Sequence, residues 1–254
     1  MSAPSRTHLI LIPSYNTGGK VLQTMWDARR IWQPVWVVVD GSTDGTLEAL
    51  QALARDDPGI RVLALPRNRG KGAAILHGLR EAEAAGYTHA MTMDADGQHP
   101  TDKIHEFMAA SAANPEALIL GRPVFDASAP RVRVHGRKLS NWCADLETLG
   151  AGIGDSLFGF RVYPIAPLCE IMERQPWMRG FDFDVEAAVR LCWRGVRPIN
   201  LAAPVRYFRS EDGGVSHFRY LRDNTLLTWM HARLILEWLV RLPFLLGRLL
   251  TGRH

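Results

Sequence analysis

The sequence predicts an α/β fold in which parallel strands form a sheet flanked by helices. Over roughly the first half of the chain, short apolar runs alternate with longer segments of helical periodicity, and this alternation is typical of a parallel sheet. Polar, glycine-containing segments follow three of the apolar runs. The predicted strands are Leu9–Ile12, Val35–Val39, Ile60–Leu65 and His89–Met93, and the predicted helices are Lys20–Ile31, one that begins near Thr46, and Gly70–Ala85.

The polar segments lie where the predicted strands end. They are Pro13–Asn16, Asp40–Thr46 and Asp94–His99. Because the carboxyl ends of parallel strands meet at one edge of a sheet, and ligands bind at that edge, the coincidence of three such segments predicts a functional site there.

After about residue 122 the pattern is less regular. A basic segment leads into a helix-like stretch that extends to Leu149, and Gly154–Arg161 has the composition of a turn followed by a short strand. A further helix is predicted from Phe181 to about Arg194, followed by a strand over Val196–Val205. The basic segment contains Arg122, Arg131, Arg133, Arg137 and Lys138.

Composition places the chain among ordinary globular proteins. Its 254 residues are 47% hydrophobic and 22% charged, with a formal net charge of +4, which is too small an excess to predict nucleic-acid binding. The three cysteines are widely spaced, so we expect neither a disulfide framework nor a structural zinc site. The N-terminal residues contain no apolar signal region, and the sequence therefore predicts a cytoplasmic protein.

Asp94 and Asp96 form the most informative motif, because they alternate directly after a buried strand. Two carboxylates in one cleft raise each other's pKa unless a cation neutralises them. A divalent cation with oxygen ligands would do so, and Mg²⁺ or Mn²⁺ commonly links such carboxylates to the phosphates of a substrate. The segment lacks the later glycine and glutamate of an EF-hand loop. We therefore expect metal-assisted chemistry on a phosphorylated donor.

Two further segments suit a nucleotide. Asp40, at the end of the second strand, could accept hydrogen bonds from a base edge or a ribose, although Asp, Gly and Ser also build turns for local reasons. Asn68–Gly72 combines glycines, two cations and a helix N-terminus, which is a reasonable diphosphate cradle. It is not a Walker A loop, because the spacing and the trailing Ser or Thr are absent.

Taken in order, these motifs resemble inverting family-2 glycosyltransferases of the GT-A fold, nearest the branch of dolichyl-phosphate mannose synthase. The resemblance implies a Rossmann-like mixed sheet flanked by helices, a UDP- or GDP-linked sugar donor, and Mg²⁺ or Mn²⁺ as cofactor. The motifs that carry it are Pro13–Asn16, Val37–Gly45, Asn68–Gly72, Asp94–Pro100, Gly154–Arg161 and Gly180–Glu186.

The resemblance also assigns residues to the donor. It implies that Asp40 recognises the nucleotide base and that the metal is held by Asp94, Asp96 and Gln98. Lys71 would stabilise the departing nucleoside diphosphate together with the metal. The complete set of predicted donor-binding residues is Pro13, Tyr15, Asn16, Asp40, Ser42, Asn68, Lys71 and Asp94.

For catalysis, Asp184 is the first candidate for a general base and Glu186 the second. Asp184 precedes Arg190 by the spacing that the family's Glu-Asp motif keeps from its downstream arginine, and Glu186 matches the glutamate of the lipid-phosphate branch. A carboxylate within hydrogen-bond reach could take the proton of a sugar hydroxyl. Either residue could instead be an acid that stabilises a helix N-terminus.

On the acceptor side, Arg122, Arg137 and Arg161 could bind a phosphate, and His217 is a candidate site histidine. The family's closing basic pattern is altered over Arg209–His217, where His217 replaces a lysine. The leading hypothesis is therefore a lipid-linked or membrane-proximal acceptor that offers a hydroxyl. A polyprenyl-phosphate acceptor is the alternative, and a catalytically silent, membrane-bound binding protein is the alternative of another class.

The C-terminal segment, residues 225–254, is predicted as an amphipathic helix appended to a catalytic domain of residues 1–224. Its charged residues recur on one helical face, and no uncharged apolar stretch is long enough to cross a membrane. Pro243 should kink or restart the helix. The helix could pack on the catalytic domain or lie in the headgroup region, and the arginine-rich stripe favours peripheral contact with the inner face of the membrane. The stripe contains Arg233, Glu237, Arg241 and Arg248.

Overall fold

The computed structural model describes residues 3–125, 131–205 and 220–251. Within these ranges a seven-stranded sheet has the order β3-β2-β1-β4-β6-β5-β7. The strands are β1 (His8–Ser14), β2 (Val35–Asp40), β3 (Ile60–Leu65), β4 (His89–Thr92), β5 (Leu118–Val124), β6 (Arg161–Pro164) and β7 (Pro198–Pro204).

Eight α-helices flank the sheet in the described ranges. A 3₁₀ turn at Thr101–Lys103 precedes the fourth of them. The helices are α1 (Gly19–Ile31), α2 (Thr46–Asp56), α3 (Lys71–Ala84), α4 (Ile104–Ala113), α5 (Arg131–Glu147), α6 (Ile165–Arg174), α7 (Phe183–Trp193) and α8 (Tyr220–Thr251).

Residues of β1 and β2 alternate between two hydrophobic cores, one on each face of the sheet. Leu11 and Val38 belong to the core formed with α3, α6 and α7, whereas Ile12 and Val37 belong to the core formed with α1 and α4. Both sets are completely buried. A strand covered on both faces has a continuous apolar sequence, which explains why the runs of Val, Ile and Leu predicted strands without an alternating pattern.

Strand β6 gives the sheet its mixed character. It pairs antiparallel with both β4 and β5, and Thr92 lies opposite Arg161. All other pairs of strands in the described sheet are parallel. Because β6 runs against its neighbours, the segment before it, residues 154–160, reaches the edge of the sheet where β4 ends. The fold thereby brings this segment to the acidic motif.

The predicted elements of the first half agree with the structure to within two residues at each end. Helices α4 and α6 and strand β5 are not predicted from the sequence. Helix α8 begins at Tyr220 and continues through Pro243, so the proline does not end it. No helix in the described ranges is long and apolar enough to cross a membrane.

Candidate functional site

Lys71 lies at the centre of the carboxyl edge of the sheet, between two carboxylates. Its Nζ is 2.6 Å from Asp94 Oδ1 and 2.6 Å from Asp184 Oδ2. Asp94 follows β4, Asp184 belongs to the first turn of α7, and Lys71 begins α3. Three separate elements thus bring together three of the residues predicted from the sequence.

Glycines allow the close approach of α3 to the turn before α7. Gly70 has φ of +96°, and a β-carbon on Gly70 or Gly72 would collide with the carbonyl oxygens of Arg179 and Met178. The approach is also hydrogen-bonded, because Gly72 N donates to Gly180 O at 3.3 Å. The glycine-rich segment therefore aligns Lys71 with α7.

The charges of this cluster stabilise one another. Although burial acts to lower the pKa of Lys71, Asp184 and Asp94 raise it above its usual range. Burial acts in the opposite sense on Asp94, yet Lys71 lowers the pKa of Asp94 to about 2. Asp96 differs, because burial and the charge of Asp94 raise its pKa. The cluster therefore holds an ammonium and an ionised Asp94, beside Asp96, whose pKa is raised.

His99 and Gly159 border the Lys71 cluster. Neither residue is among the site residues predicted from the sequence. Asp94 N donates to His99 Nδ1 at 3.0 Å, so Nδ1 carries the lone pair and Nε2 carries the proton, 3.5 Å from Asp94 Oδ2. Burial lowers the pKa of His99 and favours this neutral form. A β-carbon on Gly159 would lie 2.8 Å from Lys71 Nζ. His99 belongs to the motif Asp94–Pro100 and Gly159 to the motif Gly154–Arg161. Membership of these motifs was the sequence signal that could have identified both residues.

Asp184 has one oxygen with a partner and one without. Its Oδ2 accepts from Lys71, whereas Oδ1 is buried and accepts no hydrogen bond. A buried carboxylate oxygen without a donor is costly in free energy. Such an incompletely paired group at the edge of a parallel sheet is typical of a site that a ligand completes.

The residues present fit a divalent metal that a substrate helps to bind. In the described ranges no three or more His, Cys, Asp or Glu side chains form a preformed metal cage. Mg²⁺ is usually held by one or two carboxylates together with substrate phosphates, and Asp94 and Asp96 offer two carboxylates at the end of β4. Gln98 lies in the same loop, where its backbone N–H donates to Asp96 Oδ1 at 3.0 Å.

Asp40 is buried at the end of β2 and organises the loop before α3. Its Oδ1 accepts from Arg69 N at 2.9 Å and its Oδ2 from Gly70 N at 2.8 Å. Burial raises the pKa of Asp40 although these two N–H groups act against it. Asp40 therefore fixes the loop that delivers Lys71, and Asn68 is exposed on that same loop.

The remaining donor candidates belong to the loops after β1 and β2, which are joined by hydrogen bonds. Asn16, with a φ of 46°, accepts from Thr43 N at 2.8 Å through Oδ1 and donates from its own N–H to Ser42 Oγ at 3.0 Å. Pro13 and Tyr15 flank this junction and are half-buried. The fold thus places the predicted donor residues along one edge.

Arg161 does not face the phosphate of a sugar acceptor, because its side chain is completely buried in β6. All five of its N–H groups can be accounted for by protein acceptors. Nη1 donates to the backbone carbonyl of Asp184 and to Tyr163 Oη, the latter at 3.2 Å. The other acceptors are the carbonyl oxygens of Phe158, Asp155 and Ser156. The sequence showed a cation in a polar motif but not the carbonyl groups that enclose it.

The other acceptor candidates have different environments. Arg137 is partly exposed, with Nη1 2.6 Å from Asp155 Oδ1 and the guanidinium 5.5 Å from the ring centre of Phe125. Arg122 is exposed on β5. His217 and the altered pattern that it ends lie outside the described residues.

Glu186 faces helix α8 and not the Lys71 cluster. It is completely buried, and its carboxylate accepts from Arg190 Nε at 2.8 Å and from Arg233 Nη2 at 3.0 Å. The carboxylate of Glu186, which is the second candidate base from the sequence, is therefore already paired with two arginines.

The charged stripe of α8 faces the protein, contrary to the orientation expected from the sequence. Each of the following contacts joins α8 to α7: Arg233 to Glu186 at 3.0 Å, Glu237 to Arg190 at 2.8 Å, and Arg248 to Trp193 O at 2.9 Å. Met230 and Leu234 of α8 are buried in the core, whereas many other apolar side chains of the helix face outward. Those that are exposed are Leu226, Trp229, Leu236, Leu239, Val240, Phe244, Leu246 and Leu250.

A family model described as Glycosyl transferase family 2 matches residues 9–182, more than half of the chain. Polyprenol monophosphomannose synthase from Mycolicibacterium smegmatis is 29% identical over 199 residues, which cover 76% of this chain and 73% of the relative. Dolichol-phosphate mannosyltransferase from Saccharomyces cerevisiae is 36% identical over 67 residues, 26% of this chain and 24% of the relative.

The fold is also similar to that of a solved transferase. Glucosyl-3-phosphoglycerate synthase from Mycobacterium tuberculosis, in complex with Mn²⁺, UDP-glucose and phosphoglyceric acid, aligns with a TM-score of 0.61 at 17% identity. The alignment covers 92% of this chain and 80% of that one. At this identity the likeness shows the GT-A fold and not the ligands.

Proposed function

Because the chain belongs to glycosyl transferase family 2 and is a glycosyltransferase, we propose that it transfers a sugar from a nucleoside-diphosphate donor to a lipid-linked acceptor. The observation that carries the proposal is the Lys71 cluster, where one ammonium lies 2.6 Å from each of Asp94 and Asp184. A donor diphosphate carries negative charge that cations must stabilise. An acceptor hydroxyl needs a carboxylate to take its proton, whereas an acceptor phosphate already carries a negative charge.

On the donor side, Asp94 and Asp96, with Gln98 as a third ligand, would hold Mg²⁺ or Mn²⁺. The metal, when bound, neutralises charge on the leaving nucleoside diphosphate. Lys71 adds a second positive charge at the same edge and is held in its charged form by Asp94 and Asp184. Asp40 contributes through the loop that carries Lys71, because both of its oxygens accept hydrogen bonds from the N–H groups of that loop.

For the acceptor, we propose a polyprenyl phosphate. The relative that aligns with three quarters of this chain is named as a synthase of polyprenol monophosphomannose. A phosphate is already an anionic nucleophile and requires cations more than a base, and Arg122 and Arg137 offer guanidinium groups that bind phosphate well. In this reaction a phosphate oxygen forms the bond to the anomeric carbon as the bond to the nucleoside diphosphate breaks.

A lipid hydroxyl is the second candidate acceptor, and Asp184 favours it. Its Oδ1 is buried without a hydrogen-bond donor, so this oxygen could accept the proton of an incoming hydroxyl. The two acceptors make different demands on this residue. Removal of the charge in Asp184→Asn should abolish transfer to a hydroxyl and leave transfer to a phosphate largely intact.

Transfer by purified protein tests the proposal. UDP- and GDP-sugars are first compared for the rise in melting temperature that they cause with Mg²⁺ or Mn²⁺, since a ligand of the folded state stabilises it. The stabilising donor is then incubated with a polyprenyl phosphate or with a lipid that offers only hydroxyls. We expect metal-dependent transfer to the phosphate. Full activity in a chelator would contradict the metal assignment, and transfer to the hydroxyl lipid alone would favour the second candidate.

A lipid-linked acceptor also requires contact with a membrane, and we propose the outward face of α8 as the contact surface. Its exposed tryptophan, leucine and phenylalanine side chains are typical of interfacial helices. Helix α5, which contacts α8 through Ser140 and His231, adds exposed Leu139 and Trp142. Away from the charged stripe of α8, the described residues of these two helices expose two cations, Lys138 and Arg222, and one carboxylate, Asp145, which suits an anionic leaflet.

Sedimentation with lipid vesicles measures this contact independently of activity. The double variant Leu236→Gln/Val240→Gln changes two exposed side chains and should bind less to vesicles containing roughly one third anionic lipid. Arg30→Gln removes an exposed charge from α1 and serves as the control, which should bind as the parent does. If the parent instead forms a dimer through these side chains and ignores vesicles, the face is an interface between two copies and the membrane proposal is wrong.

A further inference from the structure

Helices α7 and α8 are joined by a chain of alternating charges. It starts at Arg233 on α8, passes through Glu186 and Arg190 on α7, returns to Glu237 on α8 and ends at Arg241. The side chain of Arg233 is 15% exposed and that of Glu186 is fully buried, and from Glu186 the exposure rises along the chain to 44% at Arg241. The chain is therefore strong at its buried end, because unpaired buried charges are costly and exposed pairs contribute little.

The buried end lies on the same helical turn as Asp184. Glu186 is two residues further along the first turn of α7, and its N–H donates to Asp182 O at 3.1 Å. Arg233 bonds both oxygens of Glu186, at 3.4 Å and 3.0 Å, in the two-pronged geometry that fixes orientation as well as distance. The position of this turn therefore depends on a residue of α8.

Arg233 also contacts the segment that leads into the turn. Its guanidinium lies 5.4 Å from the ring centre of Trp177, and that segment packs against the glycines beside Lys71. From the opposite side, Arg161 donates to the carbonyl oxygen of Asp184. Two arginines from different elements thus hold the turn between them, and only Arg161 belongs to a motif of the resemblance.

We propose that Arg233 is a positioning residue for the transfer reaction and acts through Glu186 on the turn that carries Asp184, and through Asp184 on Lys71. The proposal rests on the proposed function, in which Asp184 and Lys71 face the reacting groups. A displacement of about 1 Å at such a site lowers turnover by about a hundredfold. Loss of Arg233 should therefore lower kcat while leaving donor affinity almost unchanged, because the loops that carry most of the nucleotide candidates are held by hydrogen bonds of their own.

The test compares Arg233→Ala with Arg241→Ala, which removes the same side chain from the exposed end of the same charge chain. For Arg233→Ala we expect kcat per folded molecule to fall by about 10- to 100-fold, with the donor KM changed less than about threefold. Arg233→Lys keeps the charge and one bond to Glu186 and should recover part of kcat. Arg241→Ala should behave as the parent does.

If Arg233→Ala fails to fold, the double variant Arg233→Met/Glu186→Gln removes both of these charges, and Arg190 keeps its pair with Glu237 at 2.8 Å; it should fold and show the same loss of kcat. A kcat per folded molecule within about twofold of the parent, for either variant, would overturn the proposal. So would a lower melting temperature that accounts for the whole loss of activity.

Hydrogen exchange separates this outcome from failure of the proposed function. In Arg233→Ala, but not in Arg241→Ala, the backbone amides at the start of α7 should exchange faster, because the turn opens more often. If the parent transfers no sugar to any acceptor, the proposed function is wrong, and unchanged exchange at this turn would separately overturn the role of Arg233.

Discussion

The carboxyl edge of the sheet and the α7–α8 interface both bury carboxylates against cations, but they pair them differently. At the edge, Asp94 and Asp184 share the single amine of Lys71, and Asp184 Oδ1 has no donor. At the interface, both oxygens of Glu186 are bonded by arginines. Complete pairing indicates a structural role, and incomplete pairing indicates a site that a ligand completes. The two carboxylates are two residues apart in sequence.

The largest expected effect is on stability and should differ between these two carboxylates. Glu186→Gln leaves Arg190 and Arg233 without their buried anion and should lower the free energy of unfolding by about 3–5 kcal/mol. Asp184→Asn removes one of two carboxylates on one amine, so Lys71 keeps Asp94, and the cost should be about 1 kcal/mol or less. Urea unfolding at neutral pH measures both. Equal costs would remove the distinction between the two regions.

This distinction was beyond the reach of the sequence. Asp184 and Glu186 have the same chemistry and lie in one motif, so the sequence offered both as bases. Which carboxylate meets Lys71 and which meets Arg233 depends on how α3 and α8 pack on α7, and residues distant in the chain determine that packing. The same holds for Arg161, whose charge was visible while the carbonyl oxygens around it were not.

The sheet edge was more predictable, for a local reason. Continuous apolar runs identify strands covered on both faces, and polar residues directly after them fix the edge where Asp40 and Asp94 lie. The antiparallel direction of β6 depends on its long-range pairing with β4 and left no local signal. For α8, the periodicity places Arg233 and Arg241 on one helical face, but it does not show that this face packs against α7.

The next effect concerns activity at the sheet edge. Asp94→Asn should lower transfer by about 10²- to 10³-fold, or about 3–4 kcal/mol, since it removes the charge that orients Lys71 and that would hold the metal in the proposed function. The fold should persist because Lys71 keeps Asp184. Transfer rates at several concentrations of Mg²⁺ or Mn²⁺, with far-UV circular dichroism, measure both properties.

The matched control for this variant is Glu106→Gln, an exposed carboxylate on α4 whose oxygen is 2.8 Å from Lys103 Nζ. It removes the same charge outside both regions and should retain full transfer activity. If Asp94→Asn transfers sugar as fast as this control does, the incomplete pairing at Lys71 does not mark the reactive site.

The smallest expected effect concerns Asp182, which immediately precedes α7. Burial, and then the negative charge of Glu186, raise the pKa of Asp182 to about 6, compared with about 3.9 in an unfolded chain. Between these values the folded state binds more protons than the unfolded state does. Stability from this group is therefore gained as the pH falls from above 6 towards 4, and it is lost as the pH rises through 6.

Asp182→Asn removes this titration and should raise the free energy of unfolding by about 1–2 kcal/mol at pH 7.5. The advantage over the parent should shrink as the pH falls through 6 and vanish near pH 4, where the parent's carboxyl is neutral as well. Urea unfolding of both proteins across this range measures the difference. An advantage that is the same at every pH would mean that the pKa of Asp182 is not raised, so that neither burial nor the charge of Glu186 acts on this carboxyl. The charges of the α7–α8 interface would then be fully compensated even at the position of Asp182. The contrast with the incompletely paired Lys71 cluster would be greater still.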